Sequence, residues 1–268
     1  MGDAELVTRL RQAGVGRGDL VGLAVSPDGT VAVSTDAGAA GALVAGWVGD
    51  VGELGIADEE FRPRWVTWSQ EDAQRLVALG VRLSTCWDVA AVHRLLFGGW
   101  RADPGFAWAH LRRLPLDGVP APGPAAAAGM ADLFDAAREE ESPPAKKETA
   151  DDTGPVGADG YLRPDWTRGG WAGSPERLLA WARLARQAAE LQRGALEADT
   201  GGAGGAWAVA TVRAESTVEL LCAELSADGL PMDRDAAEQV LAGFIGPRPR
   251  GDAEAAAMRA ARDGAVLR

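Results

Sequence analysis

Arg64-Trp65-Val66-Thr67-Trp68-Ser69-Gln70-Glu71-Asp72-Ala73-Gln74-Arg75-Leu76-Val77-Ala78-Leu79-Gly80-Val81-Arg82-Leu83 is the stretch that decides the fold class. Residues 64–68 read as a short strand. Ser69 stands where a helix cap is wanted, Leu76 and Leu79 share a face, and Gly80 supplies a C-terminal stop. Residues 69–79 therefore read as a helix. Residues 81–83 extend again, and Asp88 then caps a helix carrying Val89, Val92, Leu95 and Leu96. Strand, helix, strand, helix in that order predicts an α/β domain.

Working outward, Leu20-Val21-Gly22-Leu23-Ala24-Val25 and Thr30-Val31-Ala32-Val33-Ser34 flank Ser26-Pro27-Asp28-Gly29. Pro presets φ for a turn and Gly accepts the positive φ that closes it, so these runs form a hairpin. Residues 37–48 are small and apolar, and a buried helix is expected there despite the glycines. Beyond Asp117 the chain turns to Pro, Ala, Gly and charge, as in Pro120-Ala121-Pro122-Gly123-Pro124 and Glu139-Glu140-Glu141-Ser142-Pro143-Pro144. Too little apolar surface is left to offset ordering entropy. Residues 118–160 are therefore expected to form a disordered insertion, with Leu133 and Phe134 able to dock transiently. Ser174-Pro175 then starts a helix with Leu178, Leu179, Trp181, Leu184 and Leu191 on its apolar side. Gly201-Gly202-Ala203-Gly204-Gly205 reads as a flexible break. A helix is expected over 207–227, and Asp233 caps another that reaches Phe244.

The 268 residues are 47% hydrophobic and 25% charged, the composition of a folded protein. No apolar run approaches the roughly 18 to 20 residues of a membrane span. Met1-Gly2-Asp3-Ala4-Glu5 lacks the basic start and apolar run of a secretory signal. Cys86 and Cys222 lie far apart, so neither a disulfide framework nor a cysteine zinc site is expected, and a reducing cytoplasm is the expected compartment. The net charge of −12 argues against an autonomous module for nucleic acid or anionic lipid. His93 and His110 lack the partners of a hydrolytic triad and read as ordinary buried or surface imidazoles. No Gly-Lys-Ser or Gly-Lys-Thr phosphate loop and no zinc spacing is present. Trp65, Trp68, Trp87, Trp100 and Trp108 have the π-faces to stack on unpaired bases, but without a basic stripe beside them core packing is the reading.

The run from Trp65 to Leu96 resembles the middle of the 3′–5′ exonuclease domain of family A (DNA polymerase I-like) DNA polymerases. There a strand leads to an Asn and an Asp near a helix start, then Leu, then Gly-Ile or Gly-Val, then Phe-Asp-Thr opening a helix that ends Leu-Leu. Counted back from Gly80, Asp72 falls on the metal-binding Asp of the second exonuclease motif, Trp68 falls where the family has Asn, and Asp88 matches the Asp of the following helix start. A second stretch, Glu219-Leu220-Leu221-Cys222-Ala223-Glu224-Leu225 followed by Ser226-Ala227-Asp228-Gly229-Leu230-Pro231-Met232-Asp233, is similar to the entry of the polymerase domain. The two occur in the family's order, as in the N-terminal part of the actinobacterial proteins called bifunctional 3′–5′ exonuclease/DNA polymerase. The resemblance implies a ribonuclease H-like α/β domain over 1–117, the insertion over 118–160, the last exonuclease-like helix and linker over 161–205, and a short α-helical start of a polymerase thumb over 206–268. It implies DNA replication or repair in the cytoplasm, DNA reached through a complete polymerase, and a polymerase half in a continued or neighbouring chain.

The departures set what this chain is expected to do. The family's exonuclease uses two metal ions, Mg²⁺ by resemblance, held by about four carboxylates. Its first motif, Asp-x-Glu on an early strand, has no counterpart in residues 20–25 or 30–34. Its third, Tyr and Asp on a helix, corresponds to Trp181-Ala182-Arg183-Leu184-Ala185, with Ala185 in the ligand's place. Asp72 alone remains as a metal candidate. It also stands three residues after Ser69, where an acidic residue caps a helix start, and capping is the favoured reading. The palm motifs have no counterpart, so no residue receives a catalytic role, no cofactor is expected in this chain, and the chain alone is expected to be inactive. Arg248 and Arg250 are the candidates for a DNA backbone, beside the plainer reading of a solvated surface shared with Arg259, Arg262 and Arg268. The alternative function is a non-catalytic single-stranded DNA-binding or protein-docking module.

Overall fold

The computed structural model describes residues 5–35, 46–119, 154–199 and 203–266. Residues 1–227 form one compact unit and 228–268 a second. The first unit is an α/β fold built on a mixed five-stranded sheet. The hairpin forms as its turn chemistry requires. β1 (Leu20–Val25) and β2 (Thr30–Ser34) pair antiparallel, the Ser26 N–H donates to the Thr30 carbonyl at 2.8 Å, and Gly29 adopts φ +88°. β3 (Gly46–Asp50) adds antiparallel to β2. The expected helix over 37–48 is corrected there. Gly46, Trp47 and Val48 are strand, with backbone pairing to β2 that a helix would forgo, and residues 37–45 lie outside the described residues.

β4 (Arg64–Thr67) joins β1 in parallel, and β5 (Cys86–Asp88) joins β4 in parallel. The order is β3-β2-β1-β4-β5, with β2 alone running against the direction of the other four. The extension expected at 81–83 is displaced to Cys86–Asp88, the point at which the chain reaches β4. β1 is central and buried along its whole length, which is why it reads as an unbroken apolar run. Val21, Leu23 and Val25 belong to the core beneath α1 (Glu5–Gln12), α2 (Gly52–Phe61) and α3 (Gln70–Ala78). Leu20 and Ala24 belong to the opposite core, beneath α4 (Val89–Phe97), α5 (Pro104–Leu111), α6 (Pro164–Thr167) and α7 (Pro175–Asp199).

Two helices, α1 and α2, were not legible as such in the sequence. Asp58 of α2 explains part of its place: its buried carboxylate accepts from Trp65 Nε1 on β4 and from the Ser84 N–H and hydroxyl. α8 (Ala203–Asp228) lies at the β5 edge, where it contributes Val212 to one core and Leu220 and Ala223 to the other. The Cys86 thiol donates to the Ser216 carbonyl, and the Ser216 hydroxyl accepts from the Asp88 N–H, so an open sheet edge is covered. The helix expected to open a separate polymerase-like region is therefore built into the first unit as far as Ala227.

Of the expected insertion, residues 120–153 lie outside the described residues. Residues 154–160 lead into a tight turn, and Trp108 Nε1 of α5 donates to the Gly160 carbonyl at 3.0 Å. Tyr161 also donates its hydroxyl to the Pro115 carbonyl, fastening the returning chain to the end of α5. The second unit contains α9 (Arg234–Ile245), capped by Asp233 as expected, and α10 (Asp252–Val266). Among the described residues no helix is long and apolar enough to cross a membrane.

Candidate functional site

The face of β1 turned toward α7 carries Leu20, Gly22 and Ala24. Side chains alternate along a strand, so two acids spaced as Asp-x-Glu and sharing this face would occupy 20 and 22 or 22 and 24. Both pairs include Gly22. A Cβ there would lie 2.1 Å from the Ala182 carbonyl oxygen of α7 and 3.0 Å from Arg186 Cβ. The contact is with backbone, so no side chain fits at this position while α7 stays seated. Arg186 reinforces the seating by donating from Nε to the Leu20 carbonyl at 2.7 Å. Ala182 and Ala185 are fully buried where α7 crosses the sheet.

Beside this contact lies a cluster of tryptophans. Trp68 follows β4, and its ring centroid is 4.9 Å from that of Trp181 on α7. Trp171 lies parallel to Trp181 at 6.1 Å, and Trp166 stands 6.3 Å from it. Arg177 lies over Trp166 and Arg75 over Trp171. Trp65, Trp87 and Trp108 are buried as well, which removes their faces from any base, whereas Trp100 is 71% exposed.

Asp72 sits at the third position of α3 and is buried. One carboxylate oxygen accepts from the Trp68 N–H at 3.1 Å, and the other from Arg75 Nη1 at 3.0 Å. Ser69 occupies the cap position but makes no side-chain cap hydrogen bond. Asp72 thus holds the strand-to-helix junction by its backbone. Burial pushes its carboxyl up to about 6, against the pull of Arg75 and the Trp68 N–H. Asp88 is the cap of α4, accepting from the Ala91 N–H at 2.8 Å. Burial, with Glu219 and Asp72 nearby, raises it to about 7. Arg94 meets Glu219 of α8 at 2.8 Å, and Gln70 donates to the Glu219 carbonyl. Gln192 of α7, fully buried, accepts from Trp87 Nε1 and donates to the Val89 carbonyl. Sequence reasoning missed Gln192 and Ser216, and quoted Glu219 only within the stretch similar to a polymerase entry; the one signal of Gln192 and Ser216 is a polar residue on the inner face of an apolar helix.

These groups form a structural seam. Asp72 is already bonded to a guanidinium and a backbone N–H, Asp88 to the Ala91 N–H and Glu219 to Arg94, so these carboxylates are committed to the fold and do not fit a divalent ion, which needs several oxygen ligands converging on it. Among the described residues no three His, Cys, Asp or Glu side chains are placed to hold a metal ion.

His93 and His110, read separately in the sequence, come together: His93 Nε2 lies 3.1 Å from His110 Nδ1. Phe97 stacks on His110, and Phe106 meets both rings edge-on. Burial, then the neighbouring His110 and Arg94, lower His93 to about 4, so it is neutral at ordinary pH. In the second unit Arg248 pairs with Glu238 at 2.8 Å, and the Arg250 N–H donates to Glu254, so both DNA-backbone candidates stand beside acids of their own unit. Comparison with protein families, with curated proteins and with solved structures finds no match.

Proposed function

We propose that the first unit is a retired 3′–5′ exonuclease-type domain of ribonuclease H-like architecture, in a protein related to family A DNA polymerases, and that it serves as a scaffold. The observation that carries the reading is the Gly22–Ala182 contact: the strand position shared by every acid pair on that face is closed by the helix that would bring the third motif. Further support comes from the sheet, a three-stranded antiparallel meander continued by two parallel strands, with α7 crossing the first strand. The order of the two sequence resemblances, around Asp72 and around residues 219–233, supports it as well. In this reading DNA is engaged through a polymerase half in a continued or neighbouring chain, in DNA replication or repair in the cytoplasm, and Mg²⁺ serves that half alone.

The test is direct. The purified chain is incubated with a 3′-labelled primer and Mg²⁺ or Mn²⁺. No release above the metal-free control is expected, and Asp72→Ala should leave that result unchanged. Metal-dependent removal of 3′ nucleotides, abolished by Asp72→Ala, overturns the reading.

A further inference from the structure

The net charge of −12 conceals one end of the first unit where positive charge stands uncompensated. β1 and β4 are parallel, so Arg17 ahead of β1, Arg62 ahead of β4 and Arg64 at the head of β4 come to the same end of the sheet. The backbone is tied together there. The Gly18 N–H donates to the Arg62 carbonyl at 3.0 Å, and the Arg64 N–H to the Asp19 carbonyl at 2.8 Å. β5 begins at this end as well, and Arg64 Nη1 donates to the Cys86 carbonyl at 3.0 Å. The Cys86 thiol donates in turn to the Ser216 carbonyl, which brings Arg213, three residues earlier on α8, beside the same strand end.

Arg64 is left with donors and no anion. Its Nε is buried without a partner, and its Nη2 makes no hydrogen bond among the described residues. The charge that acts on it is a second cation. Burial and then Arg213 hold its guanidinium below the ordinary range, with the Cys86 thiol alone opposing among the described residues. A guanidinium keeps its proton in a protein, so both stay charged. The Arg213 side chain has no hydrogen bond or ion pair among the described residues. Glu215, two positions on, lies about 200° round the helix. Arg186 adds a further cation: its Nε bonds the carbonyl of Leu20, the register partner of Arg64. Glu190 is shared between Arg186 and Arg193, so that trio stays positive. Asp19 turns its carboxylate to the Gly16 N–H.

We propose that Arg64 and Arg213 form a site for a phosphoryl anion. The guanidinium fork matches phosphate oxygens, and one phosphoryl group between two forks relieves the repulsion and satisfies the idle donors together. Two sources share this chemistry, the phosphodiester backbone of a nucleic acid and free phosphate. Arg17 and Arg62, at the same end and without ion pairs among the described residues, continue the positive charge as a row of phosphates requires. The inference does not rest on the exonuclease reading, whose test is nucleotide release.

The whole chain is tested in two arms. Fluorescence anisotropy with a labelled single strand of about 20 nucleotides, at about 50 and 200 mM salt, reads the backbone source. A thermal melt in inorganic phosphate against chloride of equal ionic strength reads the free one. Oligonucleotide binding is expected at roughly 1–100 µM, weakening with salt. Arg213→Glu should weaken it by ~10-fold or more and lower the salt slope by about 1. Tm should hold or rise in that variant, because the new carboxylate pairs with Arg64, whereas a merely structural arginine would lower it. Arg250→Ala, in the second unit, should change nothing. Oligonucleotide binding lost in Arg213→Glu assigns a backbone phosphate. A phosphate-dependent rise in Tm lost in Arg213→Glu, without oligonucleotide binding, assigns a free one. No response in either arm overturns the proposal, and so does a response that survives Arg213→Glu or disappears in Arg250→Ala.

Discussion

Gly22→Ala isolates the contact on which the site reading turns. The new methyl would lie 2.1 Å from the Ala182 oxygen, 2.9 Å from its carbonyl carbon and 3.0 Å from Arg186 Cβ. The first two are backbone atoms in mid-helix and cannot swing aside, so α7 must lift from β1. Overfilling a tight core costs ~1–3 kcal/mol. Lifting also stretches the 2.7 Å bond from Arg186 Nε to the Leu20 carbonyl, a charged hydrogen bond of ~1.5–3 kcal/mol. Against this, alanine narrows the unfolded ensemble by ~0.4–1 kcal/mol. The net expectation is ~3 kcal/mol of destabilisation, or about 6–12 °C in Tm for a unit of this size. Urea unfolding followed by tryptophan fluorescence, beside a thermal melt, reads it. Gly55→Ala is the control. It lies inside α2 with nothing within 4 Å of the added methyl, and should stabilise by ~0.5–1 kcal/mol. A Gly22→Ala protein within ~0.5 kcal/mol of the parent would refute the close seating of α7, and with it the steric argument against an acid pair on β1.

Stability should rise as pH falls from 8.5 to 6.5. Asp88 and Asp72 take up protons near 7 and 6 when folded but near 3.8 when unfolded, so the folded state binds more protons in that window. Asp88→Asn, which keeps the cap acceptor, should flatten the trend in a thermal-shift series; a Tm that climbs toward pH 8.5 contradicts it. His93 acts oppositely: its imidazole protonates near 6.5 when unfolded and near 4 when folded, so its own contribution to stability is lost as pH falls through that interval. Two raised carboxyls outweigh one lowered imidazole, so the rise continues below pH 6.5 at a reduced slope, and His93→Gln should steepen it. Gln192→Leu strands Trp87 Nε1 and removes the donor to Val89 O, and should cost ~2–3 kcal/mol in urea unfolding.

The sequence by itself determined what depends on near neighbours. Pro27 and Gly29 fixed the hairpin turn, Asp88 and Asp233 capped their helices, Gly80 ended α3, and Leu178 to Leu191 gave α7 its apolar side. It also set the inventory of acids along β1 and α7, on which the proposed retirement of the site rests. The tertiary structure alone decided what depends on residues more than a hundred positions apart. Gly22 meets Ala182, Trp87 meets Gln192, and Ser216 closes the β5 edge, although nothing beside any of them names its partner. β3 escaped because a strand of glycines beside Trp47 shows its period only once β2 is there to pair with it. Turns and caps are set by dihedral preferences and hydrogen bonds within four residues. Close approach between elements is set by the volume left once the whole core has closed, and no local pattern encodes it.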